Sequence, residues 1–260
     1  MLRQKSCPGN GGRVIAVTGK GGSGKTVLVA IMADVLSKEG KYRILLIDAD
    51  SAVCLPSALG VTVNRTVGDI REEIIRDPEA RSKIDDTPIR MVLGDVIGRG
   101  KGFDLLVMGR PEGPGCFCAV NDLLRYGIET LSKDFDITLI DCEAGPEQVN
   151  RRVVRSVDTL VIVTDTSIRG IHNAELIKRI VEEDENTKRT QIGLVINRVK
   201  EESKGIIGLA RETGLNILGY IPEDENITRF DSVGKPITNL PGDSPSVGAV
   251  REILGEIGFE

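Results

Sequence analysis

Tryptophan is absent from the 260 residues, aromatic side chains make up 3%, and there is one histidine, His172. Proteins that hold nucleic acid rely on basic patches and stacking aromatics. With a formal charge of −5 and a pI near 5.2 the chain offers neither, so no nucleic-acid partner is expected. No apolar run approaches a membrane span, and Met1 to Pro8 lacks the apolar centre of a signal peptide. No membrane partner is expected, and the protein is expected in the cytoplasm. The five cysteines are odd in number and unevenly spaced, which argues against a disulfide framework. Burial or thiolate chemistry must account for them. His172 opens a predicted helix and reads as a surface or capping residue rather than a ligand.

What the sequence does contain is glycine at decisive positions. Thr18-Gly19-Lys20-Gly21-Gly22-Ser23-Gly24-Lys25-Thr26 carries the G-x-x-x-x-G-K-[ST] spacing through Gly19, Gly24, Lys25 and Thr26. Such a turn aims successive backbone N–H groups at phosphates, and the dipole of the following helix adds to the attraction. Its flanks fit: Arg13 to Val17 reads as a buried strand and Val27 to Lys38 as a helix. Lys25 is placed to neutralise β- and γ-phosphate charge, and the Thr26 hydroxyl to ligate Mg²⁺.

The length suits one large α/β domain over 13–260, with polar, glycine-containing residues 1–12 as a flexible lead-in. Strand and helix patterns alternate along the chain, predicting α/β architecture with a mostly parallel sheet and helices on both faces. Tyr42 to Asp48 is a strand running into Asp50, at a strand carboxyl end where open α/β sheets place ligands. Residues 61–102 read as a short helix and a surface excursion. Asp104 to Met108 is a buried strand, and Val120 to Leu131 a helix. Phe135 to Asp141 is an apolar strand ending in an acid, the pattern of a carboxylate that holds Mg²⁺ hydration. Further strands are predicted at Thr159 to Thr164, Gln191 to Asn197 and Ile217 to Ile221. Helices are predicted at Ile168 to Glu183, Glu201 to Thr213 and Ser246 to Gly255. Asn197-Arg198-Val199-Lys200 puts a lysine where a guanine-reading run needs an acid, so ATP is favoured, with the Asn197 amide facing adenine.

Lys20, at the loop's second position, makes Gly-Lys-Gly-Gly-x-Gly-Lys-Thr. This resembles the deviant Walker A phosphate loop of the family that includes the nitrogenase iron protein, Min-type division-site ATPases, arsenite-pump ATPases and metal-cluster maturation ATPases. The resemblance implies Mg²⁺-dependent ATP hydrolysis in a homodimer, with Lys20 reaching the partner subunit's nucleotide. It implies catalytic roles for Lys20, Lys25 and Asp50, the last orienting or deprotonating the attacking water. Mg²⁺ falls to Thr26, Asp50 and Asp141. The nucleotide falls to Gly19, Lys20, Gly21, Gly22, Ser23, Gly24, Lys25, Thr26 and Val27, with Gly145 as a γ-phosphate switch. Asn197, Arg198, Pro222 and Glu223 would line the adenine.

Cys116 and Cys118 are one residue apart in a glycine- and proline-rich loop, where an extended backbone turns both side chains the same way. Two thiolates leave a four-coordinate Zn²⁺ or Ni²⁺ site half filled. A second copy could supply the rest; the alternative reading is a redox-active pair or two buried thiols. Gly109-Arg110-Pro111-Glu112 leading to Cys116-Phe117-Cys118-Ala119, then Asp122-Leu123-Leu124-Arg125 and Asp141-Cys142-Glu143-Ala144-Gly145, is similar to the CooC-type nickel-insertion ATPases. That likeness implies ATP-driven dimerisation and one Ni²⁺ or Zn²⁺ shared per dimer. It also implies carbon monoxide dehydrogenase, or a related acetyl-CoA pathway enzyme, as client.

Two other readings stand beside it. An electron-transfer iron protein would hold an iron–sulfur cluster between subunits, yet its second cysteine would fall where this chain has Gln148, Val149 and Asn150. A Min-type positioning ATPase would end in a basic amphipathic helix, whereas Arg251 to Glu260 is acidic. Roles for Cys7, Cys54 and Cys142 are not assigned, beyond burial for Cys142.

Overall fold

The computed structural model describes residues 12–77, 87–110, 128–145, 157–187 and 189–259. Cys7, Cys116, Cys118, Gln148 and most of the helix expected at 120–131 lie outside them.

Strands β1 (Arg13–Gly19), β2 (Ile44–Ala49), β3 (Gly98–Arg99), β4 (Asp104–Val107), β5 (Ile137–Cys142), β6 (Thr159–Thr164), β7 (Gln191–Val199) and β8 (Asn216–Pro222) form one sheet. Its order is β3-β4-β2-β5-β1-β6-β7-β8, and every neighbouring pair is parallel except β3 with β4. The central strands are apolar along their whole length because both faces are covered. In β1, Val14 and Ala16 enter one core and Ile15 and Val17 the other.

Helices α1 (Lys25–Glu39), α2 (Leu55–Leu59), α3 (Val67–Arg76), α4 (Ile89–Gly94), α5 (Ile168–Glu183), α6 (Lys204–Glu212), α7 (Glu225–Ser232) and α8 (Pro245–Glu256) follow the strands. Val67 and Ile70 of α3, Leu93 of α4 and Ile171, Ala174 and Ile177 of α5 pack on one face. The opposite face takes Leu28 to Leu36 of α1, Leu55 of α2 and Val247, Val250 and Ile253 of α8. α1 is buried nearly all round because α8 and the sheet enclose it, and it ends where Gly40 adopts φ 66°. The expected α/β class and parallel sheet are thus observed.

Between 61 and 102 the chain makes more than the single helix expected. α3 starts at a capping box, Thr66 Oγ1 accepting from Asp69 N at 3.3 Å and Asp69 Oδ2 from Thr66 N at 2.7 Å. Among the described residues of this stretch α4 and β3 follow, β3 pairing antiparallel with β4 at the sheet edge. Two-residue β3 has no periodicity to read.

Candidate functional site

The parallel register brings the chemically interesting residues to one edge of the sheet. β1 lies between β5 and β6, with Val17 opposite Asp141 and Gly19 opposite Val163. β2 lies on the far side of β5, with Asp48 opposite Asp141. The loops after β1, β2, β5 and β6 therefore leave from the carboxyl ends of adjacent strands, where open α/β sheets hold ligands.

The loop after β1 is shaped for backbone approach. Gly19 has φ 142°, and a Cβ there would lie 2.0 Å from the Val163 carbonyl oxygen. Gly24 has φ 96° and sits directly before α1, whose N-terminus no side chain caps. The first helical bond is Leu28 N to Gly24 O at 2.9 Å, so the amides of Lys25, Thr26 and Val27 precede the helix's own ladder. No acid occupies that first turn, so the helix dipole there favours an anion. Lys25 is buried, and its ammonium donates to the Lys20 carbonyl at 3.3 Å, folding it back over the loop.

Thr26 and Asp141 meet directly, the Thr26 hydroxyl donating to Asp141 Oδ2 at 2.6 Å. Asp141 is 1% exposed, and its Oδ1 is buried with no hydrogen-bond partner. Burial pushes its pKa up to about 7; the Thr26 hydroxyl and Lys25 pull against that, while Asp48 and Asp50 add to it. An orphaned buried carboxylate oxygen beside a threonine hydroxyl is a donor set that a hard divalent cation satisfies. The residues present therefore fit Mg²⁺. Cys142, the next residue, is fully buried, and its thiol is pushed up to about 12 by burial and by Asp141. It is inert at neutral pH.

Asp50 lies in the loop after β2, its Oδ1 accepting from Ala52 N at 2.8 Å. Cys54, exposed two residues farther on, has its thiol pushed up by partial burial and by Asp50, Asp48 and Asp141. Asp48 is completely buried, and burial pushes it up to about 6 against the lowering effect of N–H groups from Asp50 and Leu55. Nothing in the local sequence marks Asp48 apart from the apolar strand it closes.

Three expected nucleotide contacts have partners within the chain. The Lys20 ammonium pairs with Asp165 Oδ2 at 2.8 Å rather than standing free. Burial pulls Asp165 up, but hydrogen bonds from Lys20 and Ser167 outweigh it and hold it below the usual carboxylate value. The Gly145 amide donates to the Gly19 carbonyl at 3.1 Å, tying the loop after β5 to the phosphate loop. Asn197 Nδ2 donates to the Ser23 carbonyl at 2.8 Å, and Asn197 Oδ1 accepts from Arg198 N at 2.9 Å. The amide keeps a second hydrogen and a second lone pair beyond these two bonds. Arg198 adopts φ 57°, Glu223 N donates to Val199 O at 3.2 Å, and Lys200 pairs with Glu223 at 2.8 Å. Asn197, Arg198, Pro222 and Glu223 are thus adjacent across the β7/β8 ends. His172 is exposed on α5. Among the described residues, no three His, Cys, Asp or Glu side chains group to hold a metal ion.

The model of the CobQ/CobB/MinD/ParA nucleotide binding domain matches residues 14–237, from the first strand past β8 and α7. The chain belongs to that family. It is therefore a nucleotide-binding P-loop protein of an ATPase family, and its fold matches. The MinD cell division protein of Aquifex aeolicus superposes with a TM-score of 0.70 at 25% identity, covering 94% of this chain and 96% of that one. An uncharacterized ATP-binding protein of Methanocaldococcus jannaschii is 42% identical over 251 residues, 94% of this chain and 98% of that protein. The carbon monoxide dehydrogenase accessory protein CooC of Rhodospirillum rubrum is 32% identical over 242 residues, 85% of this chain and 87% of its own length. No helix among the described residues is long and apolar enough to cross a membrane.

Proposed function

We propose that this CobQ/CobB/MinD/ParA-family chain is an ATP-hydrolysing homodimer. In this reading its nucleotide state governs the holding and delivery of Ni²⁺ or Zn²⁺, with a nickel-dependent carbon monoxide dehydrogenase or a related acetyl-CoA pathway enzyme as client. The observation that carries the coupling is the path of the chain after β4. Met108 N donates to the Asp48 carbonyl at 2.8 Å, so Met108 to Arg110 leave the sheet beside the loop of Asp50. A change in that loop on hydrolysis is passed to Met108–Arg110, the residues that precede the stretch of Cys116 and Cys118 in the sequence. The likeness to CooC, a carbon monoxide dehydrogenase accessory protein, supports the choice of client.

In this account the amides of Gly21 to Val27 and the Lys25 ammonium hold the triphosphate. Thr26 and Asp141 would hold Mg²⁺, which would supply charge neutralisation for the triphosphate. Asp50 orients or deprotonates the attacking water, and the Gly145 amide exchanges the Gly19 carbonyl for the γ-phosphate. Lys20 leaves Asp165 and reaches the partner's nucleotide. That pair is partly solvated, 36% and 23% exposed at its two side chains, so giving it up costs under about 1 kcal/mol.

The test is metal content and mass measured together. Wild type and Cys116→Ala/Cys118→Ala, each with ADP and with non-hydrolysable ATP, are expected to give one Ni²⁺ or Zn²⁺ per two chains in the wild-type dimer and none in the variant. A full equivalent per chain in a monomer contradicts the shared site. A reducible absorbance near 400 nm after anaerobic purification would instead favour an iron–sulfur protein.

A further inference from the structure

The buried carboxylate of Asp48 has no part in the scheme above, yet its surroundings assign it one. Its backbone is fixed by the sheet: it is in register with Asp141 on β5, and its carbonyl accepts from Met108 N at 2.8 Å. Its side chain faces the loop that follows. Oδ1 accepts from Asp50 N at 3.1 Å and Oδ2 from Leu55 N at 3.1 Å, so one carboxylate grips both ends of the Asp50 to Leu55 turn.

Between the two grips the backbone is bent tightly. Val53 N donates to the Asp50 carbonyl at 3.1 Å, and Val53 is held at φ 52°. Left-handed backbone is disfavoured for a β-branched residue and persists only where surrounding bonds enforce it. The two bonds to Asp48 are bonds of that kind. Only a carboxylate suits the position: an asparagine amide would offer one acceptor and turn its own N–H groups toward the second amide.

We propose that Asp48 is a positioning residue for turnover, a two-pronged clamp that holds the Asp50 carboxylate in place by keeping the Asp50–Leu55 turn closed against the strain at Val53. It acts through Asp50, by its bonds to the amides of Asp50 and Leu55. The proposal rests on the reading of Asp50 as the group that handles the attacking water.

The test compares Asp48→Asn, Asp48→Asn/Val53→Gly and Asp50→Asn, measuring ATP turnover at saturating Mg-ATP and affinity for Mg-ADP. Asp48→Asn should lose turnover by roughly tenfold to a hundredfold, the scale of a displaced catalytic group. Its Mg-ADP affinity should stay within about threefold of wild type, a loss confined to kcat. Glycine at position 53 removes the strain that opens an unclamped turn, so the double variant should regain several-fold of the lost turnover. A merely structural defect has no reason to respond to that second change. Wild-type turnover in Asp48→Asn beside an inactive Asp50→Asn overturns the clamp and leaves the reading of Asp50 standing. Parallel losses of affinity and turnover with no rescue by Val53→Gly also overturn it. Wild-type turnover in Asp50→Asn overturns the reading of Asp50 itself.

Discussion

Replacing Asp141 with asparagine should make the nucleotide-free protein more stable while removing its response to Mg-ATP. The carboxylate is almost wholly buried, with one oxygen bonded to Thr26 and the other to nothing. Its pKa rises from the ordinary 3.8 to about 7, and at about 1.4 kcal/mol per pH unit the charged form costs the folded state on the order of 4 kcal/mol. The sign follows from proton binding. Between the unfolded and folded values the folded state holds the proton that the unfolded chain has released, so rising pH favours unfolding. This group's contribution is fully present below 3.8 and lost by about pH 7. Asparagine removes the titration and still accepts from the Thr26 hydroxyl. From pH 5 to pH 8 the stability of Asp141→Asn relative to wild type should therefore grow by roughly 2–3 kcal/mol. At roughly 2–4 °C per kcal/mol in a chain of this size, the gain in Tm is on the order of 5–10 °C. Denaturation of both proteins at the two pH values, with and without Mg-ATP, gives the answer. Wild type should be stabilised by Mg-ATP and the variant should not. A variant less stable than wild type at pH 8, or a gap that does not change with pH, refutes the reasoning.

Other substitutions probe the remaining contacts. Asp165→Ala releases Lys20 from its pair in both subunits and should lower the protein concentration needed for dimerisation with non-hydrolysable ATP by at most about thirtyfold, about 1 kcal/mol per pair, measured by sedimentation, because the pair is partly solvated. Asn197→Ala removes the strut at the Ser23 carbonyl and should weaken ADP binding by about 1–2 kcal/mol in titration calorimetry. Gly24→Ala places a Cβ 2.3 Å from Asn197 Nδ2 at φ 96° and should abolish binding. Gly22→Ala, at φ 73° with nothing within 4 Å, should cost only the backbone penalty of about 1–2 kcal/mol.

The phosphate loop was legible because its chemistry is local: glycines, lysine and threonine within one turn, between a buried strand and a helix. The sheet class was legible for a similar reason, since doubly covered strands are apolar throughout. What escaped the sequence was pairing at a distance. Lys20 and Asp165 are 145 residues apart, and Asn197 and Ser23 are 174 apart. Only the strand order makes them neighbours, and an unremarkable aspartate after β6 gives no pattern to read. Asp48 was hidden differently. As the last acid of an apolar strand it looks like a strand terminus, and its two bonds to backbone amides depend on the shape of the turn after it. The helix boundaries within 61–102 were hard to read because Thr66 and Asp69 form a capping box with aspartate in place of the usual glutamate or glutamine.

The claim on which the account rests is that each nucleotide is completed by a lysine from the other subunit, and mixing two inactive proteins tests it directly. Lys20→Ala keeps its own phosphate loop but has no lysine to lend; Lys25→Ala lends Lys20 but holds nucleotide poorly. Neither alone should turn over ATP. Combined in equal amounts, half of randomly formed pairs are mixed and each mixed pair has one complete site, so activity should return to roughly a quarter of wild type. A mixture as inactive as its components, or Lys20→Ala turning over ATP by itself, contradicts the account.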